Sequence, residues 1–143
     1  MFMGTYQNSV DAKYRMIVPA KFREELGDKV VFTLGIDKCL YLYSMEEWGK
    51  FVEKLSMLPI SDTKARKFSR SFTANAEDCE VDKQGRVTLP ASLRDKVDIV
   101  KELTTVGCLN RIEVWSREVY ESDEEDITMS NEEVSEGMKE YGI

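Results

Sequence analysis

The sequence predicts an α+β fold, mainly β, built from two copies of one unit, and three observations carry that expectation. The run Asp11-Ala12-Lys13-Tyr14-Arg15-Met16-Ile17-Val18-Pro19 returns as Asp82-Lys83-Gln84-Gly85-Arg86-Val87-Thr88-Leu89-Pro90. The likeness continues beyond it: Phe22-Arg23 answers Leu93-Arg94, Gly35 answers Gly107, residues 40–44 answer residues 112–116, and Trp48 answers Tyr120. Such self-similarity marks an internal duplication. Around each copy lie short β-prone runs punctuated by Gly, Pro and Asp, the pattern of strands and turns. With 143 residues and 42% hydrophobic content there is material for one ordinary domain. A half of about 60 residues is marginal alone, so the halves are expected to share a core or to bury surface in an oligomer.

Residues 5–10 alternate weakly and read as an edge strand, and residues 11–13 as a turn. Residues 15–18 are β-prone; Pro19 lacks a backbone donor, which ends the strand and suits the first position of a short helix. On that helix Phe22 and Leu26 share a face, and Gly27 is placed to end it. Residues 29–34 form a strand, 35–38 a turn, and 39–43 another strand with Leu40 and Leu42 on one side and Tyr41 and Tyr43 on the other. Ser44 and Glu47 fit a capping box. The helix it opens carries Trp48, Phe51, Val52, Leu55 and Leu58 at helical spacing, with Pro59 past its end. Residues 61–76 connect the repeats as an amphipathic helix, with Ala65, Phe68 and Phe72 on one side and Arg66, Lys67 and Arg70 on another. The second repeat follows with a strand near residues 78–81, the motif hairpin, a short helix after Pro90, strands near 103–107 and 112–115, and a final helix from Ser116. The organisation is then residues 1–60, first repeat; 61–75, connecting helix; 76–121, second repeat; and 122–143, an acidic tail read as disordered or as a frayed helix.

The net charge is -7, and its location matters more than its total. All of the excess lies beyond residue 121, where Lys139 is the one cation among the acids; before it, acids and bases are equal in number. Within that neutral body, residues 12–23, 63–76 and 83–94 hold Lys and Arg and no acid. A local field of one sign is what a phosphate backbone responds to. No apolar run is long enough for a bilayer span and the start lacks the pattern of a signal peptide, so a cytoplasmic location without membrane attachment is expected. Cys39, Cys79 and Cys108 are too few and too scattered for a disulfide framework or a zinc site, which leaves reduced thiols. There is no His, which removes the commonest general base and metal ligand.

Two readings of the motif stand side by side. In one it is a hairpin staple: Asp11 and Asp82 accept turn amides and pair with Arg15 and Arg86, Gly85 supplies a positive φ, and Pro19 and Pro90 end the strands. In the other, Arg15 and Arg86 face outward with Lys13 and Lys83 to meet nucleic acid, because a guanidinium is shaped for phosphate and for guanine edges. For residues 61–76 a solvated basic face with Phe68 and Phe72 in the core is weighed against DNA contact. Tyr41, Tyr43 and Trp48 read as core or interface. Asp78, Glu80 and Asp82 alternate on a predicted strand and could hold a metal, but no nucleophile with a partner and no glycine-rich phosphate loop accompanies them, so no enzyme activity, cofactor, metal or small-molecule substrate is expected.

Asp82-Lys83-Gln84-Gly85-Arg86 with Pro90, the partial copy Asp11-Ala12-Lys13-Tyr14-Arg15 with Pro19, and the opening Met1-Phe2-Met3-Gly4 resemble the MraZ family. Its members pair two tandem domains similar to the AbrB and SpoVT swapped-hairpin fold, and the likeness covers residues 1 to about 121. The resemblance implies a small barrel-like β core of interleaved hairpins, a ring-shaped homo-oligomer, and a nucleoid-associated transcriptional regulator. It also implies binding to double-stranded DNA at short direct repeats in the promoter of the division and cell-wall gene cluster. It carries DNA contact over to Arg15 and Arg86, and to Lys13 and Lys83 beside them. Tyr14 departs from the family's Gly. A protein-binding module of the antitoxin kind is the alternative; such modules carry one hairpin copy and a more apolar tail.

Overall fold

Each strand that opens a repeat pairs with the other repeat, so the duplication is woven into a single sheet. The computed structural model describes residues 1–122 and 124–143, with side chains described outside 123–125; residue 123 and the side chains of 124 and 125, part of the expected tail, therefore lie outside that description. The elements run β1 (Phe2–Ser9), β2 (Arg15–Ile17), α1 (Ala20–Leu26), β3 (Lys29–Leu34), β4 (Leu40–Ser44), α2 (Met45–Ser56) and α3 (Thr63–Thr73). They continue as β5 (Glu77–Glu80), β6 (Arg86–Thr88), α4 (Ala91–Lys96), β7 (Glu102–Leu109), β8 (Arg111–Ser116), α5 (Arg117–Ser122), α6 (Glu124–Ile127) and α7 (Asn131–Tyr141). Six strands form an antiparallel sheet in the order β1-β7-β8-β4-β3-β5, and β2 and β6 form a separate two-stranded ribbon. The two repeats exchange their first strands: β1 lies on β7, and β5 lies on β3. Between them β4 meets β8, so the sheet has an approximate two-fold relation at its centre.

The two faces of that sheet carry two cores. Alternation along β3 and β4 sends Val30, Phe32, Leu40 and Leu42 to one face, where they meet Met16 and Val87 of the ribbon, Phe22 and Leu26 of α1, and Leu93 of α4. Equivalent positions of the repeats fill equivalent places there: Met16 with Val87, Val18 with Leu89, Phe22 with Leu93, Leu26 with Val97. Cys39, Tyr41, Tyr43 and Trp115 go to the opposite face, where α2, α3 and α5 cover them with Leu55, Phe72, Trp48 and Tyr120. Stacking of Tyr43 on Phe51 and the edge-on contact of Phe51 with Phe72 tie α2 and α3 to that face.

Several local expectations change in the structure. The strand expected at residues 5–10 starts earlier and spans Phe2–Ser9, because β7 offers a partner along its whole length. Pro19 and Pro90 are the residues before the first helical position, at φ -50 and -58, rather than the first helical residues. Ser44 caps α2 by accepting the Glu47 amide at 3.1 Å, while the Glu47 carboxylate pairs with Lys50 at 3.3 Å, so one half of the capping box is present. On α3, Ala65 and Phe72 are buried but Phe68 is 50% exposed. Where a disordered or frayed tail is expected, α6 and α7 are helical. α7 is closed by a reciprocal capping box of Ser130 and Glu133 and by Gly142 in the left-handed conformation. Among the described residues no helix is long and apolar enough to cross a membrane.

Candidate nucleic-acid interface

The two copies of the motif meet on the ribbon. β2 and β6 pair with each other, not with the strand that precedes each of them, and the register sets Arg15 opposite Thr88, Met16 opposite Val87, and Ile17 opposite Arg86. The hairpin expected within each repeat is thus completed by the other repeat. Since side chains alternate across a strand, Met16 and Val87 point into the core and are buried, whereas Arg15, Ile17, Arg86 and Thr88 share the outer face. Arg15 and Arg86 are diagonal neighbours on that face, about 7–8 Å apart by ordinary strand geometry.

Each ribbon strand begins at a turn held by its own aspartate. Asp11 Oδ1 accepts the amides of Lys13 and Arg15 at 2.9 and 3.0 Å, and its Oδ2 accepts Arg15 Nε at 2.7 Å. Asp82 repeats the arrangement: Oδ1 accepts the amides of Gln84 and Arg86 at 3.0 and 2.9 Å, and Oδ2 accepts Arg86 Nε at 2.8 Å. Both carboxyls are held below the ordinary value of 3.8, first by the backbone amide of the Arg four residues on and then by its side chain, against an opposing effect of burial. Both aspartates are therefore ionised at neutral pH. Because each engages its arginine through Nε, the Nη edge of the guanidinium is left to point elsewhere; in Arg86 one Nη lies 3.4 Å from Gln84 Oε1. Lys13 and Lys83 are exposed on the two turns.

The turns also lock the repeats together. The carbonyl of Gly85 accepts the Val18 amide at 2.8 Å, and the carbonyl of Tyr14 accepts the Leu89 amide at 2.9 Å, so each turn extends the ribbon beyond the other strand's end. Both turn residues have positive φ, 78 at Gly85 and 58 at Tyr14. A Cβ at Gly85 would overlap the guanidinium of Arg23, which itself donates to the Val18 carbonyl at 2.9 Å. At Tyr14 the packing is inverted: the phenol ring fills that space and the Arg94 guanidinium lies over it at 3.6 Å, with Nη1 donating to the Leu89 carbonyl at 2.9 Å. Tyr14 thus reproduces the turn that Gly85 makes. Arg23 and Arg94, matched in the duplication and lying in the basic clusters, are structural supports of these turns. Their signal was present in the equal spacing from Pro19 and Pro90.

The other carboxylates do not assemble a site. β5 ends at Glu80, and Asp82 lies beyond it, turned onto Arg86. Among the described residues no group of three or more Asp, Glu, Cys or His side chains could hold a metal ion. The three thiols are free: Cys39 is buried with its pKa pushed well up by burial, and burial pushes Cys79 up to about 11.

Comparison with known proteins agrees with this duplicated architecture. The family model described as "MraZ protein, putative antitoxin-like" matches twice, over residues 1–71 and 72–141. Proteins named "Transcriptional regulator MraZ" align over all 143 residues and over the whole of their own length. Those from Thermoanaerobacter sp. (strain X514) and Acetivibrio thermocellus are 47% identical, and the one from Halothermothrix orenii is 46% identical. With both halves matched by the family model and full-length relatives at nearly half identity, the chain belongs to the MraZ family.

Proposed function

We propose that the chain is a sequence-specific, DNA-binding transcriptional regulator that reads double-stranded DNA with the β2–β6 ribbon and acts as a ring-shaped homo-oligomer. The observation that carries this reading is the placement of Arg15 and Arg86 on one outward face, each aimed by an aspartate through Nε. A two-stranded ribbon fits a major groove about 12 Å wide, and a guanidinium offers two parallel donors to guanine O6 and N7. Holding each Arg in place before binding reduces the conformational entropy lost on contact. Ile17, 52% exposed between the arginines' rows, supplies an apolar contact of the kind that thymine methyl groups accept. Lys13 and Lys83 sit at opposite ends of the ribbon and provide phosphate contacts that fix its register.

One ribbon makes few contacts, so affinity would come from several subunits engaging successive direct repeats in the promoter of the division and cell-wall gene cluster. That activity places the protein on the nucleoid in the cytoplasm, with neither catalysis nor cofactor. The words "antitoxin-like" in the family description favour one other reading, in which the same face binds a protein. Chemical methylation of guanine N7 on DNA upstream of the protein's own gene separates them. Protection of spaced guanines by the wild type, lost in Arg15→Ala/Arg86→Ala, supports major-groove reading. Absence of protection at concentrations where the DNA is bound refutes it.

A further inference from the structure

The outward face of the ribbon has a near two-fold symmetry that its strand side chains break at one place. The Val18 amide donates to the Gly85 carbonyl at 2.8 Å and the Leu89 amide to the Tyr14 carbonyl at 2.9 Å, on either side of the match of Met16 with Val87. Arg15 with Thr88, and Ile17 with Arg86, are then the non-hydrogen-bonded pairs, in which facing side chains come closest. A half-turn about the centre of the ribbon carries Arg15 onto Arg86, and Asp11 onto Asp82 with the same three contacts. Each turn holds one exposed lysine, so the two ends are matched in charge. The same half-turn carries Ile17 onto Thr88, and there the match ends.

Ile17 and Thr88 differ in what they accept. Ile17 offers only hydrocarbon, and Asn8 Nδ2 donates to its carbonyl at 2.9 Å, which pins the backbone that carries it. Against a base edge that surface suits the thymine methyl group, whereas the amino group of cytosine or adenine would lose water there and gain no partner. Thr88 is exposed as well, and among the described residues nothing bonds its hydroxyl. A hydroxyl turns to donate or to accept, so it suits any base. The two arginines therefore select the same base at both ends, but the neighbouring base pair is read strictly beside Arg86 and loosely beside Arg15.

We propose that Ile17 and Thr88 set the direction in which the ribbon lies on DNA, Ile17 by requiring a thymine beside the guanine held by Arg86. With the arginines alone the ribbon would fit a site equally well either way round. Direct repeats all run one way, so every ribbon on them must lie the same way round, and only an unequal pair of outward residues can impose that. The inference deepens the proposed function and rests on the ribbon's reading of DNA, from which the test separates it.

The probe is the duplex upstream of the protein's own gene, with thymines replaced one at a time by deoxyuridine, which removes only the C5 methyl group. Full-length wild type, Ile17→Thr and the exchange Ile17→Thr/Thr88→Ile are compared on it, each also with the photo-crosslinking residue p-benzoylphenylalanine in place of Ala12, which is exposed at one end of the ribbon. Isoleucine and threonine are both β-prone and both sites are at the surface, so the variants should melt like wild type. In wild type one thymine position in each repeat should lose about fourfold in affinity, the worth of one buried methyl group, and crosslinks should fall on one side of the protected guanines. Ile17→Thr should lose that sensitivity and crosslink on both sides. The exchange should regain the sensitivity with its crosslinks on the opposite side. The proposal is overturned if no thymine methyl matters in wild type, if Ile17→Thr still crosslinks on one side, or if the exchange crosslinks where wild type does. Guanine N7 protection, read on the same duplexes, tells the two readings apart: protection with any of those results ends this proposal alone, and its absence ends the ribbon reading as well.

Discussion

At the scale of residues, a single carboxylate sets both the turn and the arginine beyond it. Asp11 and Asp82 each accept two backbone amides and one guanidinium nitrogen, so their removal should loosen the loop and the side chain together. Asp82→Ala is expected to lower DNA affinity while Arg86 is still present, and by less than Arg86→Ala does. Equal affinity to wild type would mean that the clamp does not serve binding. A folded-state pKa below the ordinary carboxylate value means that the clamp is complete above about 3.8 and is lost only as pH falls through the lower, folded value. The amides of Arg15 and Arg86 should therefore keep their protection from hydrogen exchange from pH 7 down to about 4; loss of protection in that interval would contradict the assignment. Tyr14 gives a second prediction. Tyr14→Ala keeps the positive φ and loses the Arg94 stack, whereas Tyr14→Gly loses the stack but relieves the backbone, so Ala should be the less stable of the two by about 1 kcal/mol in denaturant unfolding.

At the scale of elements, the ribbon is held by a narrow strip of core. Met16 and Val87 are its only inward side chains within the paired register, and both are buried against the sheet. Met16→Ala should destabilise the chain by about 2–5 kcal/mol, and at temperatures where the variant stays folded its ribbon should still bind DNA. The elements were largely legible in the sequence because they rest on local signals: the alternation of Leu40, Tyr41, Leu42 and Tyr43, the Ser44 cap, and the prolines that close each motif. The pairing of β2 with β6 was not legible from those signals. A three-residue strand carries no mark of which partner it takes, and only the resemblance to a swapped-hairpin family pointed beyond a hairpin within one repeat. Phe68 shows the same limit. Its spacing with Ala65 and Phe72 is that of a buried face, yet Phe72 is the ring that reaches the core, and Phe68 meets it edge-on from outside and stays half exposed.

At the scale of the whole molecule, duplication supplies what one copy lacks. Neither half closes its own sheet, since β1 lies on β7 and β5 on β3, so truncation after residue 71 should leave an unfolded chain rather than a half-sized domain; a cooperative melt of residues 1–71 would contradict this. The swap also brings the two arginines to one ribbon, so a single chain presents two equivalent side chains on one outward face. The acidic tail was legible in composition, which leaves disorder and a frayed helix open; within it Ser130 and Glu133 cap the helix α7. The central claim is that Arg15 and Arg86 are the contacts through which the protein holds DNA. Binding of wild type, Arg15→Ala, Arg86→Ala and the double variant to the upstream DNA across a salt series tests it most directly, with subunit mass held constant as a control. Wild type should bind specifically with a steep salt slope, each single variant should lose specific binding, and the double variant should keep a salt-dependent residual binding, since Lys13 and Lys83, the proposed phosphate contacts, are untouched. Four identical binding curves would reduce the ribbon to a structural staple and contradict the account.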